Sequence, residues 1–293
     1  MPVRQARATD HDAVAAFTAD TWADREVGDY IPDVFPEWVA SDGKDQHTVV
    51  ATVDGTPVGI CQARLLADDE AWLQGMRVDP DHRGDGHGKA VVTDLFSWCR
   101  ERDATVARSL VFGWNGAGMG QARAVGFNPV TACRFVELDP DSDAQPDGIV
   151  GYSAAAWQFW THSDARAHLS GLARADSQAW ALTELTRARL DGLAADGRAF
   201  ALVDGGLRGM SVRVATRERD DQTVAEYAVA AWADADAARD VLAAIRADAA
   251  ACDADAARVL VADTPRFISD AASTRCRLSD TTEYIFAADL SGA

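Results

Sequence analysis

The stretch Ala71-Trp72-Leu73-Gln74-Gly75-Met76-Arg77-Val78-Asp79-Pro80-Asp81-His82-Arg83-Gly84-Asp85-Gly86-His87-Gly88-Lys89 decides how this sequence is to be read. It begins as a strand, breaks at Asp79-Pro80 and reopens as a helix that carries Val91, Val92, Leu95, Phe96 and Trp98 as its apolar positions. Gly84, Gly86 and Gly88 let the backbone take positive φ and pass close to a ligand, so that successive N–H groups converge. With the positive end of the following helix, those amides form an anion site suited to a pyrophosphate. Arg83 and Lys89 supply charge beside it, and Lys89 is one of only two lysines in the chain, the other being Lys44. Two other phosphate motifs fail on spacing. Ala90 follows Lys89 where a P-loop needs Ser or Thr, and Gly84-x-Gly86-x-Gly88 is not G-x-G-x-x-G. The plain alternative is a glycine-rich surface turn at a helix start.

Outward from this stretch the pattern is α/β. A short strand from Val3 to Ala8 leads to Thr9 and Asp10, caps for a helix carrying Val14, Phe17 and Trp22. The aromatic segment Tyr30 to Trp38 reads as turn-rich. Two strands, His47 to Val53 and Pro57 to Leu66, flank the turn Asp54-Gly55. After the Ala71–Val78 strand and the Gly84–Cys99 helix come a strand from Ala104 to Phe112, a short helix from Gly116 to Val125 and a strand from Pro129 to Leu138.

An Asp- and Pro-rich linker follows, and the expected division is a first domain over 1–140, a linker over 141–150 and a second domain over 151–293. The second half repeats the first in weaker form. Val53-Asp54-Gly55-x-x-x-Gly59 recurs 150 positions later as Val203-Asp204-Gly205-x-x-x-Gly209. Trp157 to Trp160 with Ser163-Asp164 matches the opening strand and cap, and Arg258 to Asp263 matches the strand after the central helix. Where the glycine loop should recur, the chain reads Ala233-Asp234-Ala235-Asp236-Ala237-Ala238. The second half is expected to keep the scaffold without the cradle.

Arg83-x-x-Gly86-x-Gly88 directly after Val78-Asp79-Pro80 resembles the pyrophosphate loop of the GCN5-related N-acetyltransferase (GNAT) family, and Asn115 with Gly126-Phe127 looks like that family's later motif. The resemblance covers Val3 to Leu138. It implies the family's mixed sheet flanked by helices, two such domains in tandem, and acetyl-CoA as cosubstrate. Met76, Arg77 and Val78 would line the pantetheine arm; Arg83, Gly84, Asp85, Gly86, His87, Gly88 and Lys89 would hold the pyrophosphate; Asn115 would serve both cosubstrate and catalysis. Two positions depart from the family. Ala122 stands where a tyrosine often protonates the departing thiolate, and Gln74 stands where a glutamate is common, an amide that cannot act as a base. Candidate replacements are Glu70 and Asp69 through water and Tyr30 as acid, each with a plainer reading as turn acids or a pocket wall. Tyr30-Ile31-Pro32-x-x-Phe35-x-x-Trp38 with Trp72 to Val78 is also similar to the histidine N-acetyltransferase-like branch, which acylates a free amino acid. These aromatics either wall an acceptor pocket or pack under a loop.

Composition narrows the partners. Against 28 Lys and Arg there are 46 Asp and Glu, a net charge of -18, which disfavours nucleic acid and anionic lipid alike. An Asp-rich, Lys-poor chain resembles proteins of extreme halophiles, where salt screens self-repulsion. No apolar run approaches the ~18 residues of a membrane span, and no export signal opens the sequence, so a cytoplasmic protein is expected. Five scattered cysteines suggest no disulfide framework, and the six histidines show no ligand spacing, so no metal is expected. His87 is read as exposed or touching phosphate. The expectation is an N-acyltransferase that moves acetyl from acetyl-CoA to a primary amine of a small molecule or amino acid by direct attack, with room for a homodimer; the alternative is a non-catalytic acyl-CoA-binding or regulatory module.

Overall fold

A computed structural model describes residues 1–22, 28–219 and 221–292. The chain forms two compact α/β units, each with a mixed sheet flanked by helices. The first comprises Met1–Val111, Asn115–Pro129 and Phe286–Ala293; the second comprises Phe112–Trp114 and Val130–Ile285. Set against the expected division, residues 130–140 lie in the second unit and the C-terminal residues from Phe286 lie in the first.

The first half contributes, in chain order, β1 (Val3–Gln5), α1 (His11–Thr18), α2 (Ile31–Ser41), β2 (Gln46–Val53), β3 (Thr56–Leu65), β4 (Glu70–Val78), α3 (His87–Arg100), β5 (Val106–Phe112), α4 (Gly116–Ala124) and β6 (Asn128–Leu138). In the first unit the strands run β1-β2-β3-β4-β5, and the C-terminal segment from Phe286 completes the sheet. Neighbours are antiparallel as far as β4, while β4 and β5 are parallel. The β2–β3 hairpin turns at Asp54 (φ 49) and Gly55 (φ 85), as the Asp-Gly signal predicts.

The segment read as turn-rich is the helix α2. Pro32 sits in its first turn, where no N–H is needed, but Pro36 lies inside it and deprives the Pro32 carbonyl of its helical donor. The His11 ring Nε2, 3.2 Å from that carbonyl, takes the vacant place. The helix then buries Ile31, Phe35 and Trp38 against Ala6, Val14, Val50 and Ile60. Burial of Phe35 and Trp38 stabilises the unit by about 2–3 kcal/mol each, and these two rings are packing residues rather than pocket walls.

The second half adds β7 (Ile149–Val150), α5 (Ser153–His162), α6 (Asp164–His168), β8 (Leu172–Arg174), β9 (Leu182–Glu184), α7 (Arg187–Ala195), β10 (Ala199–Val203), β11 (Leu207–Arg219), β12 (Gln222–Trp232), α8 (Ala235–Ala251), β13 (Ala256–Ala262), α9 (Pro265–Ser273), β14 (Arg277–Leu278) and β15 (Glu283–Asp289). The expected opening strand at Trp157–Trp160 is the helix α5 instead, with Ala156 and Trp160 buried at helical spacing. Otherwise the succession β10-β11-β12-α8-β13-α9 repeats β2-β3-β4-α3-β5-α4. Gly209 has a packing reason, since a Cβ there would collide with Val241 of α8. The sheet of the second unit runs β6-β13-β12-β11-β10-β7, with β14 also on β6.

Between β12 and α8 there are only Ala233 and Asp234, and the Asp234 carboxylate caps α8 by accepting from Ala237 N–H at 3.0 Å. The second copy thus fills its helix N-terminus with its own side chain and has no glycine loop. Its interior holds an unusual charge cluster: Arg174 donates to Glu226 at 2.8 Å, Arg258 lies 3.5 Å over the Phe135 ring, and Glu283 stands 3.8 Å from Arg258. Burial pushes the Glu283 carboxyl up to about 7.

Candidate active site

β4 fixes the geometry. It pairs with β5 only over Glu70–Val106, Ala71–Ala107 and Trp72–Arg108, so from Leu73 onward the two parallel strands part. Among the described residues the β4–β5 ladder ends at Trp72, so toward Met76–Val78 this edge of β4 presents backbone groups able to pair with an extended ligand. On the other side the β3 register shifts between Ile60 and Gln62, which marks a β-bulge centred on Gly75. Gly75 has φ +67, and a Cβ there would overlap the Trp38 ring and come within 2.8 Å of Ile31. The bulge is therefore locked by α2.

At the C-terminal end of β4, Asp79 accepts from Asp81 N–H at 3.0 Å and starts a single 3-10 turn, Pro80–His82. Gly84 (φ +90) and Gly86 (φ +86) then turn the chain into α3, and Gly86 occupies the N-cap position with no side chain to satisfy the first amides. A Cβ at Gly88 would collide with the Gln121 amide of α4. Two of the three glycines take positive φ, and the third, Gly88, packs against the Gln121 side chain. Arg83 and Lys89 are exposed beside it, and Arg83 Nε donates to the Val78 carbonyl at 3.3 Å. An open cavity of about 720 Å³ runs from Gly86 along Lys89, Thr93 and Ser97 of α3, facing Met1–Val3. That size suits a nucleotide-sized ligand.

The remaining predicted residues divide. Met76 lies on the open stretch, with its carbonyl accepting from Arg77 Nη1 at 3.1 Å and its sulfur 3.8 Å from Gln121 Nε2. The Arg77 side chain turns away from the cradle: it pairs with Asp29 at 2.6 Å and lies over the Trp22 and Tyr30 rings at 4.5 and 5.6 Å. Tyr30, at the start of α2, contacts Trp38 edge-on and so sits beside the bulge. It is 41% exposed overall. Desolvation at its hydroxyl pushes the phenol up, opposed by the charge of Arg77. Asn115 caps α4, its Oδ1 accepting from Gly118 N–H at 2.8 Å.

Glu70 and Asp69 are not brought to the cradle. Glu70 opens β4, eight residues and about 25 Å from Val78, and it is buried in an ion pair with Arg108 rather than solvated. Asp69 is exposed in the preceding turn. His87 also departs from expectation: it is buried, only 4% exposed. The histidines do show ligand spacing, because His82, Asp85 and His87 each offer an atom within 4.8 Å of the others.

Sequence reasoning missed a polar chain behind the bulge. Gln74 donates to Gln62 at 2.8 Å, Gln62 to Thr48 at 3.0 Å and Thr48 to Asp42 at 2.9 Å. Gln74, Gln62 and Thr48 lie on successive strands of one sheet and Asp42 follows α2, so only the pairing register and the placing of that helix end reveal the chain. The buried thiols are inert: burial pushes Cys61, whose sulfur is 3.4 Å from the Gln74 carbonyl, up to about 12, and Cys99 likewise.

Residues 11–127 match the sequence model of the acetyltransferase (GNAT) family. No curated protein sequence matches the chain. Among solved structures, a GCN5-related N-acetyltransferase from Sphaerobacter thermophilus superposes with a TM-score of 0.61 at 14% identity, over 99% of this chain and 95% of that one. A protein of Thermoplasma acidophilum assigned to the acetyltransferases superposes with a TM-score of 0.57 at 17% identity, over 99% of this chain and 100% of that one. At such identities the likeness is one of fold, and it extends over both units.

Proposed function

We propose, from the match of residues 11–127 to the acetyltransferase (GNAT) family model, that this chain is an N-acetyltransferase that passes acetyl from acetyl-CoA to a primary amine of a small molecule or amino acid. The observation that carries the reading is the junction of β4 and α3, where the parting of the strands opens directly onto the glycine cradle. Gly84 and Gly86 take positive φ and Gly86 leaves the first turn of α3 without a side-chain cap, which supports a site for a pyrophosphate on the backbone N–H groups at the start of α3.

Bound there, acetyl-CoA would supply a thioester as acyl donor. The edge of β4 over Met76–Val78 would pair with the amides of the pantetheine arm, and a backbone N–H near Val78 would polarise the acyl carbonyl. Arg83 and Lys89 would neutralise phosphate charge. Tyr30, whose phenol is kept protonated by burial, is the candidate proton donor to the leaving thiolate. With the Cys61 thiol pushed up to about 12, transfer through that cysteine is disfavoured and direct attack by a positioned amine suffices.

Gly86→Glu tests the cradle. It forces a side chain onto φ +86 and puts negative charge where the pyrophosphate would sit, and calorimetry should show binding of acetyl-CoA abolished; wild-type affinity in the folded variant would sink the reading. A second reading, acyl-CoA binding without transfer, is favoured by Gln74, bound to Gln62, and by Asn115, spent on capping α4. Thiol release with amino acids, polyamines and aminoglycosides in molar KCl separates the two, and Tyr30→Phe slows that release where the phenol is the donor.

A further inference from the structure

We infer that the loop between β4 and α3 holds a divalent transition-metal ion on His82, Asp85 and His87. Three observations meet at this point. One ligand atom from each side chain lies within 4.8 Å of the other two, and around an ion with ligands at ~2.1 Å such atoms stand about 3.4 Å apart, a difference to be closed by rotation of the accessible His82 and Asp85 side chains. The His82 and His87 rings meet edge to face, centroids 5.9 Å apart and planes at 86°, so the two imidazoles are neighbours across the loop. Nδ1 of His87 is buried without a hydrogen-bond partner although the residue is only 4% exposed. Leaving such a nitrogen unsatisfied costs about 1–3 kcal/mol, and coordination would remove that cost.

The donor set identifies the class of ion. Two imidazoles and one carboxylate suit Zn²⁺, Co²⁺ or Ni²⁺ and are poor for Mg²⁺ or Ca²⁺, which prefer oxygen. Three protein ligands leave coordination positions for water or for an oxygen of a bound anion. The charge of the loop gives the ion a role. From Asp79 to Lys89 there are three carboxylates, Asp79, Asp81 and Asp85, against only Arg83 and Lys89. A cradle for a polyanion thus carries a net negative side-chain charge, and one divalent ion reverses the sign. It also ties the 3-10 turn at His82 to the first residue of α3, which fixes the loop before the ligand arrives. The metal site rests on its ligands alone; its effect on the cosubstrate rests on the acetyl-CoA reading.

The full-length protein, stripped with a chelator, is titrated with Co²⁺ and followed by visible absorption, then back-titrated with Zn²⁺. We expect one equivalent to bind with ligand-field bands that Zn²⁺ abolishes, and His82→Ala and Asp85→Asn, both at accessible side chains, to weaken it by roughly tenfold or more. His47→Ala, altering a histidine stacked on Trp98 away from the loop, should leave it unchanged. Absence of stoichiometric binding, or equal binding in His82→Ala and Asp85→Asn, overturns the site. Acetyl-CoA should bind about tenfold tighter with Zn²⁺ present, and equal binding with and without Zn²⁺ overturns the charge role. Failure of acetyl-CoA to bind in either condition, with Co²⁺ still bound, tells against the acetyl-CoA reading and not against the metal.

Discussion

Single residues here are held by opposed demands, and Glu283 shows how they sum. It is 2% exposed in the second unit beside Arg258, yet burial outweighs that attraction and raises its carboxyl from 4.5 to about 7. Below 4.5 both the folded and the unfolded chain carry the proton, and the group adds no pH dependence. Between 4.5 and about 7 only the folded chain holds it, so its contribution to stability falls as pH rises; above 7 the folded protein bears a buried charge, a cost of about 3 kcal/mol. Glu283→Gln should therefore be more stable than the parent by about that amount near pH 8 and by little near pH 4, as read by urea unfolding. A variant less stable across the whole range would show that Arg258 and Arg174 need the carboxylate. None of this was legible beforehand, because Glu283 is one acid among many in the sequence and only its burial beside Arg258 and Arg174 changes its chemistry.

At the scale of elements, the bulge in β4 and the helix α2 act as one device. Gly75 permits the left-handed step that shifts the register, and Trp38 and Ile31 press on it from α2. Gly75→Ala must strain φ +67 and displace the Trp38 ring, costing about 3 kcal/mol in urea unfolding, and it should also weaken acetyl-CoA binding because the strand is re-aimed; unchanged stability would mean that the ring yields freely. The strand, its breaker and the three glycines were legible from residues 71–89 because each signal is local. α2 was not. Pro36 reads as a helix breaker, and what rescues the helix is the His11 ring on the Pro32 carbonyl, 21 positions away. Glu70 failed for the same kind of reason: its turn-like neighbours Asp68 and Asp69 suggested a solvated acid, while Arg108 on the parallel strand claims it.

For the whole molecule, the charge of -18 is spread through both halves, so electrostatic self-repulsion opposes folding and is relieved as salt shortens the screening length. We propose that the protein is adapted to high salt, with melting temperature climbing steeply between dilute buffer and molar KCl; full stability in dilute buffer would reject this. By itself the sequence determined the α/β class, the cradle, the near-repeat at 150 positions and the missing loop in the second copy, all consequences of turn chemistry and periodicity carried by neighbouring residues. Tertiary structure alone decided which strand completes which unit: β6 stands against β13 in the second, and the segment from Phe286 stands in the first. It also decided that Tyr30 meets Trp38, the ring that presses on the bulge, while Glu70 pairs with Arg108, and that His82, Asp85 and His87 converge. The physical reason is that hydrophobic pattern specifies which face of an element is buried, whereas partner choice and side-chain convergence depend on contacts between residues far apart in the chain, whose energies no local spacing records.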